Sequence, residues 1–333
     1  MTRRQLLQLA AASGAVALVP SVLHQQSEEA EVSAAPAVGA KGKAQQKPRP
    51  GKPTEKSLRF VAFGDWGSGL KLQREVAAAM TRFSRESAAK GRPLDFAVSV
   101  GDNFYDRGVA GHDDPQWQLK FEEMYPREAM PFPFFAVLGN HDWVSNPATQ
   151  FSYRGPSGRW RMDGFYYKVA AGEGLVDFFM VDTDLWLPQY HSEGLGDKQT
   201  RWLDESLAAS TAKWKIVVGH HPPYTDGVHA VEKDMGIVRG IITPLLSKHG
   251  VQLMLSGHDH DLQHIVLPDA KTHFVVTGAG GASMRPRLFR EYGPFYRAMT
   301  GGFLGLEANQ SELKARFLSS KLETLHEWTQ VAT

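Results

Sequence analysis

Five times in this chain a short run of β-branched and aromatic residues stops at a glycine, and a polar residue able to ligate a metal ion follows at once. Run 58–63 ends in Gly64-Asp65, run 96–100 in Gly101-Asp102, and run 134–138 in Gly139-Asn140-His141-Asp142. Run 216–218 ends in Gly219-His220-His221-Pro222, and run 253–255 in Ser256-Gly257-His258-Asp259-His260. Continuous apolar runs of this length suit strands buried on both faces, which require layers of structure above and below. Residues at helical spacing separate them. Leu72, Val76, Met80 and Phe83 form one such set, Trp117, Phe121, Met124 and Tyr125 another, and two more cover 197–209 and 237–246. Further strands are expected at 165–169, 176–181, 274–277 and 303–306. Strands alternating with helices predict an α/β layered fold. With no internal repeat and no boundary signal after residue 57, residues 58–333 read as a single domain.

The N-terminus is of another kind. Thr2-Arg3-Arg4-Gln5-Leu6-Leu7 sets two arginines before a weakly apolar run, 6–23, and resembles a twin-arginine export signal. Gln8, Ser13, Gly14 and Pro20 interrupt that run, which makes it a poor permanent membrane span. Small residues at 34–37 offer a cleavage site, so residues 1–35 read as the signal of a periplasmic or secreted protein. Residues 36–57, rich in Pro, Ala and Lys, bury too little apolar surface to offset chain entropy and are expected to be a disordered basic linker. Seven Lys/Arg against four Asp/Glu give residues 1–55 a net charge of +3. The whole chain carries +1, so the rest carries about −2. A body without a basic face gives no sign of nucleic-acid binding. The chain has no cysteine, which excludes disulfides and any thiolate ligand or nucleophile.

The candidate ligands are Asp65, Asp102, Tyr105, Asn140, His220, His258 and His260. Each alone has an ordinary explanation, since an Asp beside a Gly is common turn chemistry. Five independent turns each presenting a ligand directly after a buried strand is a different matter. Open α/β sheets place their sites beyond the carboxyl ends of the strands. Carboxylates and a phenolate are hard donors suited to Fe³⁺. Imidazoles and an amide oxygen suit Zn²⁺, Fe²⁺ or Mn²⁺. A free tyrosine has a pKa of about 10, so only a strongly polarising ion holds it as an anion near neutral pH. Tyr105 therefore argues for iron.

The set Gly64-Asp65-Trp66-Gly67, Gly101-Asp102-Asn103-Phe104-Tyr105, Gly139-Asn140-His141-Asp142, Val217-Val218-Gly219-His220 and Gly257-His258-Asp259-His260 resembles the purple acid phosphatases, most of all their small, tartrate-resistant type. The resemblance runs from about residue 58 to 308 and takes in Arg159-Trp160-Arg161-Met162 and Thr277-Gly278-Ala279-Gly280. It implies a four-layer α/β/β/α sandwich of the metallophosphoesterase type. It implies that Asp65, Tyr105 and His260 hold Fe³⁺, that Asn140, His220 and His258 hold a divalent Fe, Zn or Mn, and that Asp102 bridges the two. Asn140, His141 and His229 are implied on the substrate side, His229 standing nine residues after His220 as this type shows. His221 departs from the pattern, because mammalian-type members carry an aromatic residue there. Segment 155–174 corresponds to a loop that can cover the site in relatives.

The implied reaction is hydrolysis of a phosphate monoester by a metal-bound hydroxide, with two cations clamping the attacking and leaving oxygens. His141 or His229, near an unperturbed pKa of about 6.5, would protonate the leaving group, and Asp142 would orient His141. The same core also serves diesters, nucleotides and pyrophosphates. A reading of another class is a redox-active iron protein or a phosphate-binding module. The expected partner is a small phosphorylated substrate, met by a monomer with no membrane partner beyond the export machinery.

Overall fold

A computed structural model describes residues 16–18, 57–190, 193–296 and 299–332. The expected signal (1–35) and linker (36–57) lie outside the described residues, apart from Val16–Leu18 and Ser57. In chain order the strands are β1 Val16–Leu18, β2 Leu58–Phe63, β3 Phe96–Ser99, β4 Phe134–Ala136, β5 Trp160–Arg161, β6 Tyr167–Ala171 and β7 Val176–Met180. They continue as β8 Trp214–Val218, β9 Leu253–Ser256, β10 Leu262–Val266, β11 His273–Thr277, β12 Phe295–Tyr296, β13 Gly302–Ala308, β14 Glu312–Ser319 and β15 Thr324–Val331. The main helices are α1 Lys71–Ala89, α2 Leu195–Ala209 and α3 Lys233–Lys248.

Two sheets form among the described residues. One has the order β15-β14-β13-β2-β3-β4-β5, the other β1-β6-β7-β8-β9-β11-β10-β12. In the first, β2, β3, β4 and β5 run parallel, and β13 joins β2 antiparallel. In the second, β7, β8, β9 and β11 run parallel. Phe60 and Phe96 of the first sheet stack with ring centroids 4.9 Å apart, and Phe178 of the second meets both edge-on, at 5.2 and 5.4 Å. That contact is the core between the sheets.

The alternation of side chains explains the uninterrupted apolar runs. Phe178, Ile216, Val218, Leu253 and Leu255 point into the core between the sheets. Their neighbours Phe179, Val217 and Met254 point outward, where Leu203 and Leu207 of α2 and Val238, Ile242 and Leu246 of α3 cover them. A strand covered on both faces has no polar side to show. On the first sheet α1 buries Val76 and Met80, with Phe83 against Phe303 at 5.7 Å. The layering is the expected α/β/β/α.

Three stretches differ from expectation. Trp117–Glu122 winds as a wide π-type turn rather than an α-helix. Trp117 and Phe121 both pack edge-on to Trp160, at 5.2 Å each, and this packing overrides helical preference. Segment 155–174 supplies an unexpected strand, β5, ahead of β6, which matches the strand expected at 165–169, with Trp160, Met162, Phe165 and Tyr167 buried. The hairpin of β14 and β15 extends the first sheet beyond the last expected strand.

Candidate metal centre

The parallel strands β2, β3 and β4 end at Asp65, Asp102 and Asn140, while β8 and β9 end at His220 and His258. The two sheets present these ends to one another, so each contributes half of one cluster. Beneath it, residues adjacent to the donors anchor the loops. Trp66 and Phe104, beside Asp65 and near Tyr105, are fully buried with rings 5.7 Å apart. Trp66 Nε1 donates to Ser99 Oγ at 2.8 Å, and Ser99 Oγ donates to Asn103 Oδ1 at 2.5 Å. Asp65, Asp102 and His258 hold positive φ values of 56°, 50° and 69°. Non-glycine residues there cost on the order of 1–3 kcal/mol each and persist where the surroundings over-determine them, as at functional sites.

All seven expected donors meet. Tyr105 Oη lies 2.6 Å from Asp102 Oδ2, 3.1 Å from Asp65 Oδ1 and 3.2 Å from His260 Nε2. Asn140 Oδ1 lies 3.1 Å from His220 Nε2 and 3.0 Å from His258 Nδ1. Those two imidazole nitrogens are 3.3 Å apart, and His220 Nε2 is 3.5 Å from Asp102 Oδ1. Asp102 is thus common to a Tyr105–Asp65–His260 group and an Asn140–His220–His258 group. Outer contacts fix the rings. His220 Nδ1 donates to Val100 O at 3.0 Å, and His260 Nδ1 to Ser283 O at 2.8 Å, which leaves Nε2 of each as the inward lone pair.

The electrostatics call for cations. Burial first, and Asp102 second, push the Asp65 carboxyl well above its ordinary range. Burial, then Asp102 and Asp65, push the Tyr105 phenol up in the same way. Burial holds His220 below its usual value and His258 far below it. His260 is pulled down to about 4 by burial, then by Arg285. Neutral imidazoles and oxygen donors that burial and mutual repulsion hold protonated are groups a metal pair satisfies. The glycines leave the room. A Cβ on Gly139 would stand 2.4 Å from Asp102 Oδ1, and one on Gly257 2.3 Å from Asp65 Oδ2. The residues present fit a binuclear centre.

His141 and His229 flank the cluster. The His141 amide donates to Asp102 Oδ1 at 2.9 Å, and its Nδ1 donates to Asp106 O at 2.7 Å. The expectation that Asp142 orients His141 is corrected here. Asp142 is buried and accepts from the amides of Asn103 and Gly139, both at 3.0 Å, and from Gln150 Nε2 at 2.8 Å. Burial, then Asp102, raises its carboxyl to about 7. It shapes the Gly139–Asn140 turn, and the ring of His141 is held by the Asp106 carbonyl. His221, the departure from the pattern, packs on His258 with centroids 4.4 Å apart. Its amide donates to Thr183 Oγ1, whose hydroxyl returns a bond to Nδ1 at 2.7 Å, so a neutral imidazole fills the aromatic's place.

Three residues outside the expected set border the centre. Glu232 Oε1 accepts from His229 Nδ1 at 2.6 Å, and its Oε2 lies 3.6 Å from His258 Nε2. Asp259 accepts from the His229 amide at 3.3 Å and from Thr225 Oγ1, and so pins the loop that carries His229. Arg285 donates to His229 Nε2. The His-x-x-Glu spacing of His229 and Glu232 is a signal in the sequence; nothing local marks Arg285.

The family model of the calcineurin-like phosphoesterases matches residues 58–262, so fold and donor set together define a metallophosphoesterase. Purple acid phosphatase 4 of Arabidopsis thaliana is 32% identical over 295 residues, 82% of this chain and 83% of that protein. Tartrate-resistant acid phosphatase type 5 of Rattus norvegicus is 30% identical, over 81% of this chain and 89% of its own. The chain belongs to the purple acid phosphatases, hydrolases of the metallophosphoesterase superfamily. Among solved structures, purple acid phosphatase PPD1 from yellow lupin shares the fold, with a TM-score of 0.62 at 19% identity over 85% of this chain and 55% of that one. GAP50, described as the anchor in the inner membrane complex of Plasmodium, superposes with a TM-score of 0.70 at 26% identity over 83% and 89%.

Proposed function

We propose that this acid phosphatase hydrolyses phosphate monoesters at a binuclear centre of Fe³⁺ and a divalent Fe, Zn or Mn. The observation that carries the reading is the position of Tyr105 Oη, within 3.2 Å of Asp65, Asp102 and His260 at once. A phenol among two carboxylates is the donor set of a trivalent ion. Asp65, Tyr105 and His260 would hold it, Asn140, His220 and His258 the divalent ion, and Asp102 both. When bound, such a pair supplies a hydroxide nucleophile in mild acid and offsets the charge of the phosphate. The chain's own part is to bind, orient and move protons. Asn140 and His141 leave the same β4 turn and line the substrate side. His229, its Nδ1 on Glu232 and its loop pinned by Asp259, is the donor of a proton to the leaving alkoxide from Nε2, once the Arg285 guanidinium turns from that nitrogen to the substrate. Hydrolysis of a panel of monoester, diester, nucleotide and pyrophosphate substrates, with a purple absorption band absent from Tyr105→Phe, tests the reading. A protein that prefers diesters, or one without the band, contradicts it.

GAP50 is described as an anchor, and the likeness to it favours a second reading, a binding protein without a hydrolytic role. The presence of both flanking histidines, which a binding role does not need, weighs against it. Release of phosphate from a chromogenic monoester by the metal-loaded protein separates the two.

Export as a folded, metal-loaded monomer belongs to the same proposal. It is supported by Arg3-Arg4 ahead of the interrupted apolar run 6–23. Export and metal content unchanged in Arg3→Lys/Arg4→Lys would contradict it.

A further inference from the structure

We propose that Arg285 grips a phosphoryl oxygen of the substrate and sets the preference for monoesters over diesters; the inference rests on the reading of this centre as a phosphate-ester site. The loop carrying Arg285 is tied to the centre at three points. The Ala282 amide donates to Asp65 O at 2.7 Å, His260 Nδ1 donates to Ser283 O at 2.8 Å, and the Arg285 amide donates to His260 O at 3.3 Å. The guanidinium crosses to His229 Nε2, on the face where the tilted rings of His229 and His258 pack with centroids 4.1 Å apart. It thus spans the two halves of the cluster, from the His260 side to the His229–His258 side.

A phosphate dianion placed between a guanidinium and a pair of cations is attracted by both. Glu232, bonded to His229 and close to His258, and the buried Asp259 carboxylate are counter-charges on this face. A phosphate group entering from that face can accept one charge-assisted N–H bond from the guanidinium, whose planar, fixed donors lysine does not reproduce. A monoester dianion has three non-ester oxygens. Two can engage a cation pair, and the third is left for Arg285. A diester has only two, so the guanidinium would face an esterified oxygen of little charge. Arg285 therefore favours the dianion.

The test uses the full metal-loaded chain, with Arg285→Gln and Arg285→Lys, and measures inorganic phosphate binding by isothermal titration alongside KM and kcat for one aryl monoester and one aryl diester. Phosphate affinity is expected to fall about 10- to 100-fold in Arg285→Gln, the worth of a charged hydrogen bond. The monoester KM should rise in parallel, diester parameters should move less than about threefold, and Arg285→Lys should recover only part of the loss. Metal content equal to wild type in Arg285→Lys keeps the comparison valid if Arg285→Gln folds poorly. Unchanged phosphate affinity in both variants, or equal losses for monoester and diester, overturns the role of Arg285 and leaves the site reading standing. A metal-loaded wild type that neither binds phosphate nor cleaves the monoester overturns both.

Discussion

Tyr105 Oη lies 2.6 Å from Asp102 Oδ2, and the phenol donates to the carboxylate that both halves of the centre share. Burial and the two carboxylates raise the pKa of Tyr105, and burial and Asp102 raise that of Asp65. A raised pKa favours the protonated form, so ions entering the centre must displace protons, and affinity falls as pH falls. Titrating iron into the metal-free protein in weak buffer should release about one proton more from wild type than from Tyr105→Phe. Equal release by the two proteins would contradict the phenolate assignment.

His229 is the second prediction. If it protonates the leaving group, His229→Ala lowers kcat on alkyl phosphates by about 10²–10⁴ and spares aryl phosphates with acidic leaving groups. A uniform loss on both, or none on either, counts against a proton donor. Steady-state kinetics across a leaving-group series decide it.

The glycines at the strand ends give the third. In Gly139→Ala the new methyl meets Asp102 Oδ1, and in Gly257→Ala it meets Asp65 Oδ2. Displacement of a donor by about 1 Å costs on the order of 10²-fold in activity. Both variants should fold, bind fewer metal ions and lose activity to that extent. Wild-type metal content in both would mean the donors have room that the geometry denies them.

A separate histidine chain makes the fourth. Far along β10, His264 bonds His326 at 3.0 Å and His273 at 2.9 Å, and stacks on Trp328 at 3.9 Å. Burial, then His273 and His326, lowers His264 to about 3. Its folded value lies below the unfolded one of about 6.5, so stability is complete above pH 6.5 and is lost as pH falls, because the unfolded chain takes up a proton that the folded chain refuses. Between pH 7 and pH 5 that amounts to about 2 kcal/mol at most. Denaturant melts of His264→Gln should show a smaller loss over this interval than wild type. An equal loss would place the acid sensitivity elsewhere.

Much of the centre was legible because two signals coincided at each strand end: an apolar run covered on both faces, then a glycine and a donor. Glu232 and Arg285 carried neither. Arg285 meets His229 across 56 residues of chain, a contact made only by the tertiary fold. Asp142 was misread as a partner of the next-door imidazole, since sequence adjacency does not say which way a carboxylate turns from a buried turn. The hairpin after Ala308 was half visible. Leu313, Ala315 and Phe317 alternate with Lys314 and Arg316 along β14, whereas the inward positions of β15, His326, Trp328 and Gln330, include only one apolar residue and so show no such period in sequence.

The measurement that tests the central claim most directly is metal analysis with a visible spectrum of the purified protein, wild type beside Tyr105→Phe. Two metal ions per chain, one of them iron, and a purple band that disappears in Tyr105→Phe are predicted. A colourless, iron-free wild type with full phosphatase activity, or a band that survives in Tyr105→Phe, would contradict it.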